Sequence, residues 1–477
     1  MTDAVQGAES PAASPGAFQG YGSKSYRAYV LFALVTVYVF NFIDRVVITS
    51  VQELIKNDFQ LSDAQLGYLG GPTFAILYTL LGIPIARLAE KNNRTTILGV
   101  CIGLWSLMTA ACGMAVNYSM LLATRIGVSI GEAGGTPPAQ SVIADYFPAD
   151  KRATALGIYS LGVPIGSMLA AVGGGYIAAK LGWRDAFLAL GLPGLILAIL
   201  VKTTIKEPPR AAEAGEAPNF KEAFQALSKK AAFWHAAMGG AAASFTGYGV
   251  GQFTTSFFIR THKSELAAMQ LASWMPHFDN PAKDILFRAN LTTGLIVGLF
   301  GGIGTFASGY IADRIVARYP GAVAWLPAIA FAITTPLNIA GYMTGDLGTA
   351  VICLCGALLF QYFYLSSMYA IAGGVVHPRM RATSVAILLF VVNIIGYGAG
   401  PPAVGALSDF LANSQLTSQG LSAAVCKGVT EGPNAAACAA GSGYGLRWAI
   451  VIGFLGYLWA AAHFLLAWRS LQKDWHR

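Results

Sequence analysis

Apolar runs of about 20 residues recur along nearly the whole chain, the length needed to cross ~30 Å of hydrocarbon. In lipid, every backbone N–H and C=O must find its partner inside the protein, so only helices and closed barrels can span. No stretch alternates residue by residue as a membrane β-barrel requires. Charged residues make up only 11% of the sequence, where a soluble domain carries roughly a quarter. The chain therefore reads as an all-α membrane protein.

The runs define twelve transmembrane helices at 26–51, 63–90, 94–116, 119–146, 151–180, 184–204, 231–261, 289–316, 321–343, 347–376, 380–411 and 443–470. Residues 1–25 form a Gly/Ala/Pro/Ser-rich tail that lacks the apolar core of a signal peptide. Residues 26–204 make an N-terminal six-helix bundle, 205–230 a polar linker, 231–470 a C-terminal six-helix bundle and 471–477 a second tail. The net charge is +8. Its basic residues concentrate after the even-numbered spans, at Lys91/Arg94, Lys151/Arg152, Lys202–Lys230, Arg314/Arg318 and Arg379/Arg381. The positive-inside rule then puts both termini in the cytoplasm of a cell with an inner (plasma) membrane. It puts Cys426 and Cys438 outside, where a disulfide can form. Cys101, Cys112, Cys353 and Cys355 lie in apolar runs as small packing residues. The outer loop from Lys263 to Arg288 is long and partly apolar. It either caps the outer mouth or is an insertion.

An internal repeat supports two halves. "PADKRATALGI" (148–158) matches "HPRMRATSVAI" (377–387), and "ARLAEKNNR" (86–94) matches "GYIADRIVAR" (309–318). Both matches relate span n to span n+6, as in transporters built from parallel repeats with a site between them. The second pair follows G-x-x-x-D/E-R/K, the hallmark loop of the major facilitator superfamily. On that pattern Glu90, Lys91, Arg94, Arg152, Asp313, Arg314 and Arg381 form a cytoplasmic gate. Acids there can accept from exposed helix-end N–H groups and pair with basic neighbours. Ala86 and Asn93 stand where the pattern has glycines, which loosens the N-half latch. The bland alternative is a set of charges that only fix topology.

Charges inside spans are costly and rarely idle. Asp44 and Arg45 lie in the first span, with Arg125 and Glu132 in the fourth. Arg125 and Glu132 are two helical turns apart and share a face. Counted from the expected outer helix ends, Asp44, Arg45 and Arg125 fall at one level about 10 Å deep, with Glu132 a layer deeper. Asp44 and Glu132 are the candidate proton carriers, because opening and closing a cavity alternates desolvation with contact to a cation. Arg125 can hold an anionic head group, and Arg45, about 100° around the helix from Asp44, can face elsewhere. A satisfied structural cluster that moves nothing is the alternative. The C-half offers a neutral, aromatic wall: Tyr248, Gln252 and Thr255, then Gln361, Tyr362 and Tyr369, then Asn393. Together with Arg45, Arg125 and Glu132 these are the candidate substrate-binding residues; packing or lipid contact is the alternative for each.

No metal-ligand spacing and no phosphate-binding loop is present, so neither a metal, a cofactor nor ATP is expected, only protons as coupling ion. No nucleophile–base set suggests an enzyme. "NFIDR", the "ATRIGVSIGEA" to "IADYF" run, "GWRDAF" and "KEPPR" together resemble the Spinster branch of the major facilitator superfamily, densely over 26–210 and more thinly beyond. The resemblance implies the two-bundle fold, alternating access, proton coupling through a membrane acid of the first span, and a lysolipid or sphingolipid-like substrate. By position, Asp44, Arg45, Arg125 and Glu132 match the family's charged residues. The expected partners are thus a small amphipathic lipid and the membrane, not nucleic acid, with the protein a monomer. Transport of small organic or sugar acids, and a transport-inactive sensor on the same fold, are the rival readings.

Overall fold

The computed structural model describes residues 20–209, 220–429 and 431–475. Most of the expected N-terminal tail, and residues 210–219 of the expected linker, fall outside these limits. Every regular element among the described residues is a helix. In chain order, the expected spans correspond to α1 (Lys24–Phe59), α2 (Asp63–Lys91) and α3 (Arg94–Cys112). Next come α4 (Tyr118–Glu132 and Thr136–Tyr146), α5 (Asp150–Leu181), α6 (Trp183–Thr204) and α7 (Ala231–Thr261). The last five are α8 (Pro281–Arg318), α9 (Ala322–Met343), α10 (Leu347–Gly374), α11 (Arg381–Ser418) and α12 (Ala435–Asp474).

Ten of these are long and apolar enough to cross a membrane. The two that fall short are α4 and α7. The first is interrupted at Ala133–Gly135 and carries Arg125 and Glu132, and the second is diluted by the polar and small residues of "SFTGYGVGQFTTS". The expected twelve spans are all helical, but these two owe their place to packing rather than to hydropathy.

Short polar side chains set the helix starts. Ser23, Asn93, Asn117 and Asp346 each accept from a backbone N–H three residues on. Ser62 and Gln65 form a reciprocal capping box at α2, satisfying two N–H groups that a helix end leaves unpaired. Two boundaries differ from expectation. The first helix runs on to Phe59 because Val51 and Ile55 continue its buried face, and because Glu53 and Lys56 beyond the expected end are paired. The eighth helix begins at Pro281, with Asn280 as cap, and an Asp284–Arg288 pair at 2.7 Å bridges its first turns.

The start of α1 and the end of α12 meet the ends of α6 and α7 on either side of the linker: Tyr26 Oη donates to Thr204 O at 2.8 Å, and the Asp474 carboxylate accepts from Ala232 N at 2.8 Å; these contacts mark the termini face. The opposite face carries the Cys426–Cys438 disulfide. Within the N-half α1 packs on α5 and α3 on α6; within the C-half α7 packs on α12. Across the halves α2 meets α11 and α5 meets α8.

Candidate functional site

Asp44, Arg125 and Glu132 are fully buried, at 0% exposure, where α1 crosses α4. Glycines permit that crossing's neighbour, α3, to come close: a Cβ at Gly131 would sit 2.6 Å from Trp105 N. Asp44 lies fifteen residues before Phe59, about 22 Å from that helix end rather than the expected 10 Å. The difference follows from the two extra turns of α1. The common level survives, because Arg125 Nη1 donates to Asp44 O at 2.9 Å and Nη2 to Arg45 O at 3.2 Å.

The pairing differs from expectation. Glu132 is not set apart from the cations: Arg45 Nη2 and Nε donate to its Oε2 at 2.7 and 3.1 Å. Arg45 thus turns toward α4 while Asp44, its neighbour in sequence, turns toward α3. Arg125, expected to hold a head group, is enclosed and spends its guanidinium on main-chain carbonyls. Arg45 is the partly accessible cation, at 11% exposure. Its guanidinium lies over the rings of Phe74, Phe42 and Tyr78 at 4.4, 4.9 and 5.0 Å, a cation–π setting that favours a planar cation. The polar neighbours of Asp44 are Glu132, Arg125, Thr109 and Trp105. Among the described residues neither of its carboxylate oxygens is hydrogen-bonded, nor are Trp105 Nε1, Thr109 Oγ1, Arg125 Nε and Glu132 Oε1. Two acids and two bases leave the cluster formally neutral.

The aromatic wall stands opposite. Tyr248 stacks on Tyr397 at 4.2 Å, and Phe74 of the N-half meets Tyr397 at 5.4 Å. Tyr248 and Tyr369 remain 42% and 39% exposed, yet both lie within electrostatic reach of Tyr38 and Tyr78. These side chains therefore approach one another from the two halves. Gln361, Tyr362 and Asn393 are half-buried on the same half. Gln252 and Thr255 are placed elsewhere. Gln252 exchanges bonds with Gln52 across the halves at 2.7 and 2.8 Å, and Thr255 donates to Thr293 at 3.1 Å.

That Gln52–Gln252 pair belongs to a seal that sequence reasoning missed. Arg260 donates to Glu53 at 2.6 and 3.1 Å and to Asp63 at 2.7 and 2.8 Å. Asp63 also pairs with Lys56 and accepts from Ser408 at 2.7 Å. Asp409 accepts from the backbone N–H groups of Asp63 and Ala64 at 2.9 and 2.8 Å. Thus an acid of one half caps a helix of the other. Asn290 Nδ2 reaches Ser50 O at 3.0 Å. All of these bonds lie toward the disulfide face. The only signal in the sequence was charge beyond the expected end of span 1; Lys56 finds Asp63 seven residues on, but Arg260, which holds Glu53, is 207 residues away.

Toward the termini face the expected gate residues make no bond between halves among the described residues. Arg94 is spent inside the N-half, on Asp145 at 2.5 Å, Ser141 at 2.8 Å and Glu207 at 2.6 Å. The Glu of "KEPPR" thereby clamps the start of the linker to α3. Arg152 and Arg381 donate to Phe147 O and Gly373 O, both at 3.1 Å, and Arg314 lies over Tyr310. Glu90 and Lys91 are exposed, and the Asp313 side chain lies outside the described set. Among the described residues, the side-chain bonds that join the halves cluster toward the disulfide face.

Two helical bundles, joined by a polar network at one face and enclosing a buried charge cluster, have the build of a membrane carrier. The family model of the major facilitator superfamily matches residues 34–401. A crystal structure of a bacterial homologue of the human lysosomal transporter Spinster, inward-facing and unoccupied, superposes with a TM-score of 0.83 at 35% identity, covering 96% of this chain and all of that one. An MFS-type efflux pump of Mycolicibacterium smegmatis is 30% identical over 78% of this chain and 82% of its own length. Protein spinster of Drosophila melanogaster is 26% identical over 80% of this chain, which spans 62% of that protein. The chain belongs to the major facilitator superfamily, in its Spinster branch. It is a multi-pass membrane transporter.

Proposed function

We propose that the protein couples protons to the alternating-access transport of an amphipathic substrate with an anionic head, such as a lysolipid or sphingolipid-like molecule. The observation that carries this is the setting of Arg45. It is the accessible cation of the cluster, it rests on aromatic rings at the opening, and it is held by Glu132. An anionic head that reaches Arg45 competes with Glu132 for the guanidinium. Glu132 is fully buried, and a carboxylate that loses its cation at such depth is better off protonated. Asp44, one helical position away with no hydrogen bond on its carboxylate, is the second proton site. Substrate binding and proton loading are thereby linked through one ion pair. Arg125 holds α1 and α4 in the register that makes the link. The wall of Tyr248, Tyr369 and Tyr397 receives the apolar part of the substrate. Gln361, Tyr362 and Asn393 border that wall, whereas Gln252 serves the seal and Thr255 pairs with Thr293 inside the C-half.

The termini face is the cytoplasmic one, and the membrane is the inner (plasma) membrane. The basic loops and the disulfide on the opposite side support that orientation. The protein then faces inward in this structure, and Glu90, Arg152, Asp313, Arg314 and Arg381 come together only when it turns outward. The carrier works as a monomer, with protons and no other cofactor.

The test is flux into proteoliposomes under an imposed pH gradient, with lysophospholipids, sphingoid phosphates and sugar acids as substrates. Asp44→Asn is expected to abolish the pH-dependent component while leaving a monodisperse protein, and Arg45→Ala to raise KM roughly tenfold or more, the loss of a charge-assisted contact. Undiminished pH-dependent flux in Asp44→Asn would refute the proton assignment. Transport of sugar acids without lysolipids would move the reading to organic-acid transport.

A further inference from the structure

The loop after α7 does not stand off the protein. Arg288, itself buried, donates to the carbonyls of Leu266, Ala267 and Met269, tying the short helix Lys263–Ala268 to α8. The chain then crosses to the other half. Phe278 meets Tyr176 of α5 at 6.0 Å and Phe287 of α8 at 5.8 Å. The segment Trp274–Pro276 forms the mouth of an apolar slot walled by Val172, Gly173, Tyr176, Phe287 and Leu291.

The depth of this slot identifies what faces it. Tyr176 is five residues from the end of α5 and Phe287 six from the start of α8, about 8–9 Å below the helix ends. Val172 and Leu291 lie about 14–15 Å below them by the same count. Val172, Gly173 and Tyr176 lie within the expected fifth span and Leu291 within the eighth, so the inner wall of the slot lies at lipid level, and the loop closes its outer end. There it leaves Trp274 79% exposed, and tryptophan is the residue that settles at the boundary of headgroups and hydrocarbon. The slot continues the lipid-facing surface of two spans and contains no polar wall. Lys180, one turn above Tyr176 and 5.9 Å from its ring, is exposed at the rim, within reach of a phosphate.

We propose that this slot binds one acyl chain of a bilayer phospholipid from the leaflet at the disulfide face, with Trp274 at the mouth and the phosphate near Lys180. The lipid fills the seam between the halves beneath the loop and strengthens the closure of that face. It is distinct from the charge cluster and from any transported molecule.

Gly173 offers a clean test, since nothing lies within 4 Å of a Cβ placed there, so Gly173→Leu fills the slot without a backbone clash. The full-length protein is reconstituted in phosphatidylcholine carrying a diazirine in one acyl chain, irradiated, and its adducts are mapped by mass spectrometry. The wild type is expected to carry adducts on Tyr176, Trp274 or Met275. Gly173→Leu should reduce them roughly tenfold, the loss expected when about two methylenes are displaced from an apolar slot. Labelling at Met238 and Trp459, which line a separate lipid-facing groove, should stay constant and reports an intact fold. Equal slot labelling in the two proteins, or labelling of the groove without the slot in the wild type, overturns the proposal.

Discussion

Replacing Arg260 by alanine should convert a carrier closed at the disulfide face into one that opens there. Arg260 is 7% exposed, and it holds Glu53, 15% exposed, and Asp63, 3% exposed, from the opposite half. Its loss leaves the two carboxylates facing each other in the seal, with Lys56 reaching only Asp63. Removing one partner of a buried ion pair costs about 3–5 kcal/mol. The penalty applies only while the halves are closed, because parting them returns both acids to water. Taking the lower figure, about 3 kcal/mol shifts the equilibrium roughly 150-fold, enough to make a state populated at about one per cent the majority. Nitroxides on Asn57→Cys and Ser414→Cys, exposed positions on the two halves, report the separation in a Cys353→Ser background by pulsed electron resonance. The Arg260→Ala distribution should move to longer distances. Arg184→Ala is the control: it breaks an exposed pair with Asp58 inside the N-half, worth about 0–1 kcal/mol, and should leave the distance alone. A folded Arg260→Ala protein with the wild-type distribution would refute the view that this network holds the face shut.

The other expectations concern the cluster and its supports. Arg125→Ala removes an enclosed guanidinium that joins α1 to α4 and leaves two buried acids with one cation, so it should lower Tm and folded yield by the equivalent of about 3 kcal/mol or more; normal stability with lost substrate affinity would return Arg125 to the head-group role. Gly131→Val puts a Cβ against the backbone of Trp105, where neither side can yield, and should cost about 1–3 kcal/mol in thermal stability; an unchanged Tm would show that α3 can move away. Cys438→Ser opens a bridge that spans a sequence separation of 12. It should speed protease cleavage between α11 and α12, by an amount set by roughly 3 kcal/mol of lost restraint, and leave transport intact. Equal cleavage rates would mean the loop is held by its other contacts.

The spans, the two halves and the four charges within the spans were legible in the sequence because each is a local property. A run of apolar residues reports its surroundings wherever the helix goes, and a charge within it is expensive whatever its partner. The α1 boundary was misread for the same reason: Glu53 and Lys56 look like the edge of the membrane until Arg260 and Asp63 arrive from elsewhere. Helices α4 and α7, the most polar spans, were recognisable by their place in the repeat more than by hydropathy.

Which charges pair was a tertiary decision. Asp44 and Arg45 point about 100° apart on one helix, so their partners depend on how α1 is rotated against α3 and α4, and that rotation is set by close contacts such as Gly131 on Trp105. The same packing set the surroundings of the two arginines apart. It enclosed Arg125 and brought Arg45 to the opening over Phe74 and Tyr78, two aromatics that nothing in their own span marked out. The seal and the lipid-level loop depend on the register of one half against the other, which is fixed by surfaces hundreds of residues apart. A sequence determines which groups must be buried at a cost; the three-dimensional packing determines who compensates each of them, and that choice separates a structural ion cluster from a working carrier.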